Sequence, residues 1–228
     1  QLPVLEGYLK ERGITVQTRH LYLKAAELYG INSYNFLINP PNNSYTAQMA
    51  FTQYVFPEHW KKTKEICRKY FNERVLCHLD KYNTSAFENY LRQTDQFYHW
   101  ALDKVDWKNY DIIGFTLNYG QLLPSLAIAK KIKERYPEKK IILGGSRTAN
   151  QLGINILRAF DYIDFIVSGD GEEALYRLAS DYQNYEFIPQ LMYRVRDDVI
   201  WNRSDTYIDL NKLPIPDFAP FFNELSHV

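Results

Sequence analysis

The apolar positions between Asp111 and Leu178 fall into three repeats of one pattern: DIIGFTLNYGQLLPSLAIAKKIKERYP, KKIILGGSRTANQLGINILRAF and DFIVSGDGEEALYRLA. Each repeat has a short apolar run that stops at Gly or a small polar residue, followed by a stretch with helical spacing. The runs are apolar on both faces (Ile112, Ile113 and Phe115; Ile141, Ile142 and Leu143; Ile163, Phe165, Ile166 and Val167), which predicts buried parallel strands. The helix after Gln121 sets Leu122, Leu126, Ala129 and Ile132 on one stripe and leaves Lys130, Lys131 and Lys133 outward. Pro124 lies in its first turn, where a missing N–H costs little. The predicted fold class is α/β with a parallel sheet. In an open sheet of this kind the strand-to-helix loops share one edge, and ligands bind where the strand order reverses. Three consecutive loops rich in Gly, Thr, Ser and Asn therefore predict one continuous cleft.

The flanking patterns differ. The first residues read as a helix, with Leu2, Leu5 and Leu9 on one face and Gly13 as its stop. ITVQTRHLYL reads as a strand, Ile14 and Val16 pointing inward and Leu21 and Leu23 following. A helix feeding a strand implies a preceding strand, which is expected before Gln1. From about residue 25 to 107 the strand signals fade into a helical insertion containing YTAQMAFTQYVF, EHWKKTKEICRKYF and TSAFENYLRQTDQFYHWALDKV. Asn39-Pro40-Pro41-Asn42-Asn43 breaks it, Pro57 opens a helix, and Thr84 or Ser85 is a cap for the third stretch. An insertion much longer than an ordinary crossover covers or recognises something. After Asp181, PQLMYRVRDDVIWNR predicts a hairpin turning at Arg196-Asp197-Asp198. LNKLPIPDFAPFFNEL, with Pro214, Pro216 and Pro220, reads as extended and then as a short apolar helix. The expected organisation is an α/β domain over residues 1–187, then a hairpin and Pro-rich connector over 188–228 leading to a following domain.

Charge narrows the partners. Lys+Arg and Asp+Glu are each 27 among 228 residues, so the net charge is zero, which argues against nucleic acid or an anionic membrane. No apolar stretch approaches the roughly 20 residues of a membrane span, and a cytoplasmic protein is expected. Cys67 and Cys77 show no metal-ligand pairing and read as free thiols. The five histidines (His20, His59, His78, His99, His227) are scattered and read as structural or solvated. The run Lys61, Lys62, Lys64, Arg68, Lys69 reads as a solvated helix face. The 19 Tyr, 13 Phe and 4 Trp serve either helix packing or a large planar ligand, and composition does not choose. No constellation here performs bond chemistry by itself.

Three loops are candidate sites. Gly144-Gly145 at a strand end lets backbone approach a ligand closely, or else makes a tight turn at positive φ. Thr116-Leu117-Asn118-Tyr119-Gly120-Gln121 offers hydroxyl, amide and backbone donors; the alternative is ordinary helix capping by Asn118. Gly169-Asp170-Gly171-Glu172-Glu173-Ala174 matches the G-x-G-x-x-A dinucleotide pattern. Its acids would repel a pyrophosphate and instead satisfy the helix dipole themselves, so a nicotinamide reading is set aside.

GFTLNYGQLLPSLAIAKKIKERYP, IILGGSRTANQ, DFIVSGDGEEAL and LPIPDF together resemble the cobalamin-binding domain of cobalamin-dependent radical-SAM enzymes. The likeness is greatest to those that methylate carbon atoms of ribosomally made, modified peptides in natural-product maturation. It runs from Leu2 to Leu225 and is most specific between Gly114 and Glu172. The resemblance implies a flavodoxin- or Rossmann-like sheet with cobalamin over its strand ends. It places cofactor contacts at Thr116, Leu117, Asn118, Tyr119, Gly120 and Gln121, at Gly144, Gly145, Ser146 and Arg147, and at Gly169, Asp170, Gly171 and Glu172. It further implies a following radical-SAM domain carrying S-adenosylmethionine and a four-iron four-sulfur cluster, a peptide substrate, and methyl transfer as the activity. No Cys-x-x-x-Cys-x-x-Cys triad is present, so this chain does not hold that cluster itself. Asp170 stands where the family usually has Glu. Two other readings stay open: a non-catalytic module that recognises a peptide or partner on this scaffold, and a flavin or nucleotide binder.

Overall fold

The computed structural model describes residues 2–38, 46–74, 86–204 and 208–227. In chain order the helices ahead of the sheet are α1 (Leu2–Lys10), α2 (Leu21–Tyr29), α3 (Ile31–Ile38), α4 (Thr46–Met49), α5 (Thr52–Val55), α6 (Trp60–Arg74) and α7 (Ala86–Lys104). There follow β1 (Ile112–Thr116), α8 (Leu122–Arg135), β2 (Lys140–Gly144), α9 (Gln151–Ala159), β3 (Phe165–Val167), α10 (Glu172–Ser180), β4 (Leu191–Val195), β5 (Asp198–Trp201) and α11 (Ala219–Leu225). The fold is α/β, and the predicted order of strand, loop and helix recurs three times. The chain divides into two compact units, one of residues 1–20, 110–118 and 138–227, the other of residues 21–109 and 119–137.

The first unit holds a mixed five-stranded sheet in the order β1-β2-β3-β4-β5. β1, β2 and β3 run parallel, with Ile113 opposite Ile141 and Ile142 opposite Phe165; β4 and β5 return antiparallel. The strand order does not reverse among the described residues, in contrast to the expectation of a reversal point, because each crossover steps one place in the same direction. Side chains alternate across a strand, and the two faces of β3 and β4 are covered by different helices. On one face Phe165, Val167, Leu191 and Tyr193 pack with Ala174 and Leu178 of α10. On the other, α9 lies so close that a Cβ on Gly153 would sit 2.8 Å from Met192 Sδ and 3.2 Å from Ile166 Cγ2. Arg194 of β4 then donates from its guanidinium to the carbonyls of Leu157 in α9, of its capping residue Phe160, and of Asp161 and Ile163 in the segment beyond. The hairpin turns at Arg196 and Asp197, with Val195 opposite Asp198 and Arg196 at φ 55°.

One predicted strand is absent. Residues 14–20 carry no ladder and Leu21–Tyr29 is helical. The alternation itself is real: Ile14, Val16 and Thr18 are half-buried, Thr15, Gln17 and Arg19 are exposed, and His20 is buried. A period of two reports alternate burial, but a strand also needs a hydrogen-bonded neighbour. The last segment runs along α1, where Pro214 Cγ would come within 3.1 Å of a Cβ on Gly7, and it ends at α11. There Glu224 accepts the His20 backbone N–H at 2.8 Å and Phe221 meets the His20 ring edge-on.

The second unit is helical and aromatic. Leu37, Ala50, Cys67, Phe71, Phe87 and Tyr90 form its core, and Tyr54 stacks on Tyr98 with centroids 3.8 Å apart. The crossover helix α8 belongs here: its Leu123 N–H meets Gln48 Oε1 at 3.3 Å, and Arg135 donates to the Leu102 carbonyl at 3.0 Å. α3 and the split of YTAQMAFTQYVF into α4 and α5 were not read from the pattern. Residues 39–43, Cys77, His78, Thr84 and Ser85 lie outside the described residues. Burial pushes the Cys67 thiol up to about 12, as befits an inert side chain inside the helical core.

Candidate functional site at the strand ends

The carboxyl ends of β1, β2 and β3 all lie in the sheet unit, and their loops are joined in series. At the first junction the parallel ladder continues past the strands. The Leu117 N–H donates to the Gly144 carbonyl at 2.7 Å, and the Arg147 N–H donates to the Leu117 carbonyl at 3.2 Å. Ser146 Oγ adds a bond to Asn118 Oδ1 at 3.0 Å. Asn118 thus spans two loops. The residue that opens α8 is Gln121, whose side chain makes no cap bond.

The two glycines separate into different roles. Gly145 has φ 97°, and a Cβ there would lie 2.7 Å from the Leu117 carbonyl oxygen and 3.0 Å from Thr116 Oγ1. Its missing side chain lets the second loop close on the first. Gly144 is different: a Cβ added to it meets no atom within 4 Å. Open space lies beside the backbone at that strand tip, and Ser146 shortly after it and the Asn118 to which Ser146 is bonded are both exposed.

At the second junction, Thr148 is fully buried, with its hydroxyl 2.8 Å from the Gly145 carbonyl and 3.1 Å from that of Val167. The Asn150 N–H reaches Ser168 Oγ at 3.2 Å while Asn150 itself sits at φ 54°, ψ −132°. That conformation is unusual for a side-chain-bearing residue and costs on the order of 1–3 kcal/mol. These polar residues hold loop to strand, and sequence reading passed over Thr148, Asn150 and Ser168. The available signal was small polar residues clustered immediately beyond apolar runs.

The third loop is packed against its own chain. Gly169, at φ 133°, faces the Gln190 side chain, whose Cγ would be 3.5 Å from an added Cβ. Gly171 faces Leu5 Cδ2 at the same distance. Asp170 Oδ2 accepts the Ile208 N–H at 3.3 Å. Glu172 is buried at the start of α10, and Glu173 accepts from Tyr8 at 3.0 Å and from Arg177 Nε at 2.6 Å. Burial first, then the bond to Glu173, raises the Tyr8 hydroxyl above its ordinary pKa. The acids at this helix start are engaged within the protein, as expected for groups that balance a helix dipole.

Of the fourteen residues anticipated, the sheet unit brings together Thr116, Leu117, Asn118, Gly144, Gly145, Ser146, Arg147, Gly169, Asp170, Gly171 and Glu172, while Tyr119, Gly120 and Gln121 fall in the helical unit. Leu117 is fully buried, with its N–H bonded to the Gly144 carbonyl and its own carbonyl to the Arg147 N–H, so it joins the first two loops through its backbone. Over 88 residues the chain is 27% identical to the cobalamin-dependent radical SAM methyltransferase TokK of Streptomyces tokunonensis. The match takes in 37% of this chain and 13% of that protein. No family model matches the chain. The likeness is thus to a small part of a much longer enzyme. Among the described residues no group of three or more His, Cys, Asp or Glu is placed to hold a metal ion, and no helix is long and apolar enough to cross a membrane.

Proposed function

We propose that the sheet unit is a cobalamin-binding module and that the corrinoid lies on the ledge formed by the β1 and β2 loops. The observation that carries this reading is the open space beside Gly144, on a frame made rigid by the bonds of Leu117, Arg147 and Thr148. A corrinoid is broad, rimmed with amides and has a nucleotide tail. A side-chain-free strand tip accepts such a body close to backbone, and neighbouring amide and hydroxyl groups match its rim. Asn118, Ser146 and Gly144 are the residues that would hold it. Thr116, Leu117, Gly145 and Arg147 shape the ledge. Gly169, Asp170, Gly171 and Glu172 contribute by anchoring β3 and α10 to the segments that carry Gln190, Leu5 and Ile208. When bound, cobalamin supplies a transferable methyl group; the protein's share is placement and exclusion of water.

The partial likeness to a radical SAM methyltransferase supports placing this module within such an enzyme, with S-adenosylmethionine and the iron–sulfur cluster held by another domain. A peptide as the methylated substrate rests on the sequence resemblance alone. Titration with hydroxocobalamin, followed in the visible spectrum and by co-elution, tests the reading. A spectral shift with stoichiometric co-elution supports it, and a silent spectrum with separate elution counts against it.

A further inference from the structure

The zero net charge of the chain is an average over two units of opposite sign. The helical unit carries 15 Lys and Arg against 10 Asp and Glu, a balance of +5, and the sheet unit carries 12 against 17. Within the helical unit the excess concentrates on α6, whose Lys61, Lys62, Lys64, Arg68, Lys69 and Arg74 outnumber Glu65 and Glu73. The buried stripe of α6, Cys67 and Phe71, packs into the helical core. On another side of the same helix Lys61, Lys64, Glu65, Arg68, Lys69 and Asn72 line a groove of about 470 Å³. Their spacing of i, i+3, i+4, i+7, i+8 and i+11 puts them on one helix face. The volume lies within the range of ligand sites, about 300–1,000 Å³.

The groove shows which chemistry it accepts, because one carboxylate already sits on two of its lining residues. Glu88 of α7 lies 2.7 Å from Arg68 Nη2 and 3.6 Å from Lys64 Nζ. Arg68 is held further by the Phe87 ring, whose centroid is 5.2 Å from its guanidinium carbon. Lys61 and Lys69 differ: both are exposed, and neither pairs with an acid among the described residues. Eight residues apart, they stand about 12 Å from each other along the helix axis at about 1.5 Å per residue. Glu65 lies midway between them on the same face.

We propose that this face of α6 docks an acidic peptide segment in extended form, with carboxylates at positions i and i+4 and a neutral residue at i+2. In an extended chain such side chains share one side, and four residues span about 13 Å, which matches the distance from Lys61 to Lys69. The residue between them meets Glu65, so a third acid there is repelled. A nucleic-acid strand repeats its charge at every nucleotide and would set phosphate against Glu65, which favours peptide as the partner. The inference is independent of the corrinoid, because every residue it uses belongs to the helical unit.

Amide shifts resolved by residue test it, using the whole chain at low salt, about 50 mM. The probe is the acetylated, amidated peptide Glu-Ala-Gln-Ala-Glu at up to millimolar concentration. It should shift α6 amides saturably, and Gln-Ala-Gln-Ala-Gln should leave them in place. The double variant Lys61→Gln, Lys69→Gln should weaken binding at least fivefold while the unfolding midpoint is kept, since both side chains are exposed. Glu-Ala-Glu-Ala-Glu should bind the wild type no tighter than the first peptide, and Glu65→Gln at least threefold tighter than it binds the wild type. The proposal is overturned if the first peptide leaves the α6 amides unmoved, or if the Gln peptide shifts them as far. Tighter binding of a five-nucleotide oligothymidylate would overturn it in favour of nucleic acid. Shifts that grow with protein concentration alone would overturn it by making a second copy the occupant.

Discussion

The tip of β2 and the tip of β3 carry the same sequence signal, glycines directly after an apolar strand, and they meet opposite physical fates. At β2, Gly144 borders empty space while Gly145 is pressed against the first loop. At β3, a Cβ on either glycine would come into ordinary contact with side chains of the same unit, Gln190 and Leu5, although Gly169 itself is exposed, and Asp170 and Glu173 are engaged by the Ile208 backbone and by Tyr8 and Arg177. A glycine at a strand end therefore marks backbone need or ligand access, and only its neighbours distinguish the two. On the proposed reading the ligand ledge belongs to the β1–β2 side, and the β3 side is its abutment.

Substitutions break this comparison in order of size. Gly145→Val combines a positive φ with a Cβ 2.7 Å from the Leu117 oxygen; it should destabilise by about 3 kcal/mol or more in urea unfolding. Gly169→Ala meets only ordinary contact with Gln190 but keeps the strain of φ 133°, so about 1–2 kcal/mol is expected, with corrinoid binding retained. Thr148→Val removes a buried hydroxyl from the Gly145 and Val167 carbonyls and should cost about 1–2 kcal/mol. Gly144→Ala should change stability by less than about 0.5 kcal/mol, since its Cβ meets nothing. Equal losses at Gly144 and Gly145 would erase the distinction.

A pH measurement on a single variant probes the helical unit through Cys67. Burial raises the Cys67 thiol from 9.0 to about 12, so the folded state holds its proton more tightly than the unfolded chain. That contribution is complete below pH 9 and is lost as pH rises toward 12, at about 1.4 kcal/mol per pH unit. Cys67→Ala should flatten this part of the profile in urea midpoints measured from pH 9 to 11. The raised hydroxyls of Tyr34 and Tyr98, each at about 12, leave a residual slope of the same sign.

The repeats from Asp111 to Leu178 were legible because two-sided apolar runs and helical stripes report burial directly. The hairpin at Arg196 was legible from two apolar runs around a turn, and the short helix at Ala219–Leu225 from an apolar run after the prolines, although α11 buries no residue. Ile14–His20 misled because alternation records which side chains turn inward and says nothing of a bonded neighbour. The reversal of strand order was an expectation from the fold class, and topology is not written in local pattern. Within the site, Gly144 and Gly145 were visible as a pair but not separable, since their difference lies in the Leu117 backbone, which touches them in space but is far away in sequence. Thr148, Asn150 and Gln190 were hidden because hydrogen bonds between loops leave no periodic trace.

The central claim is that a corrinoid rests beside Gly144. Hydroxocobalamin titration of the wild-type chain and of Gly144→Trp tests it most directly. The account predicts a visible spectral shift and co-elution for the wild type, their loss in Gly144→Trp, and an unfolding midpoint that does not move between the two. Binding that survives the tryptophan, or a wild-type chain that stays colourless under every condition, would contradict it.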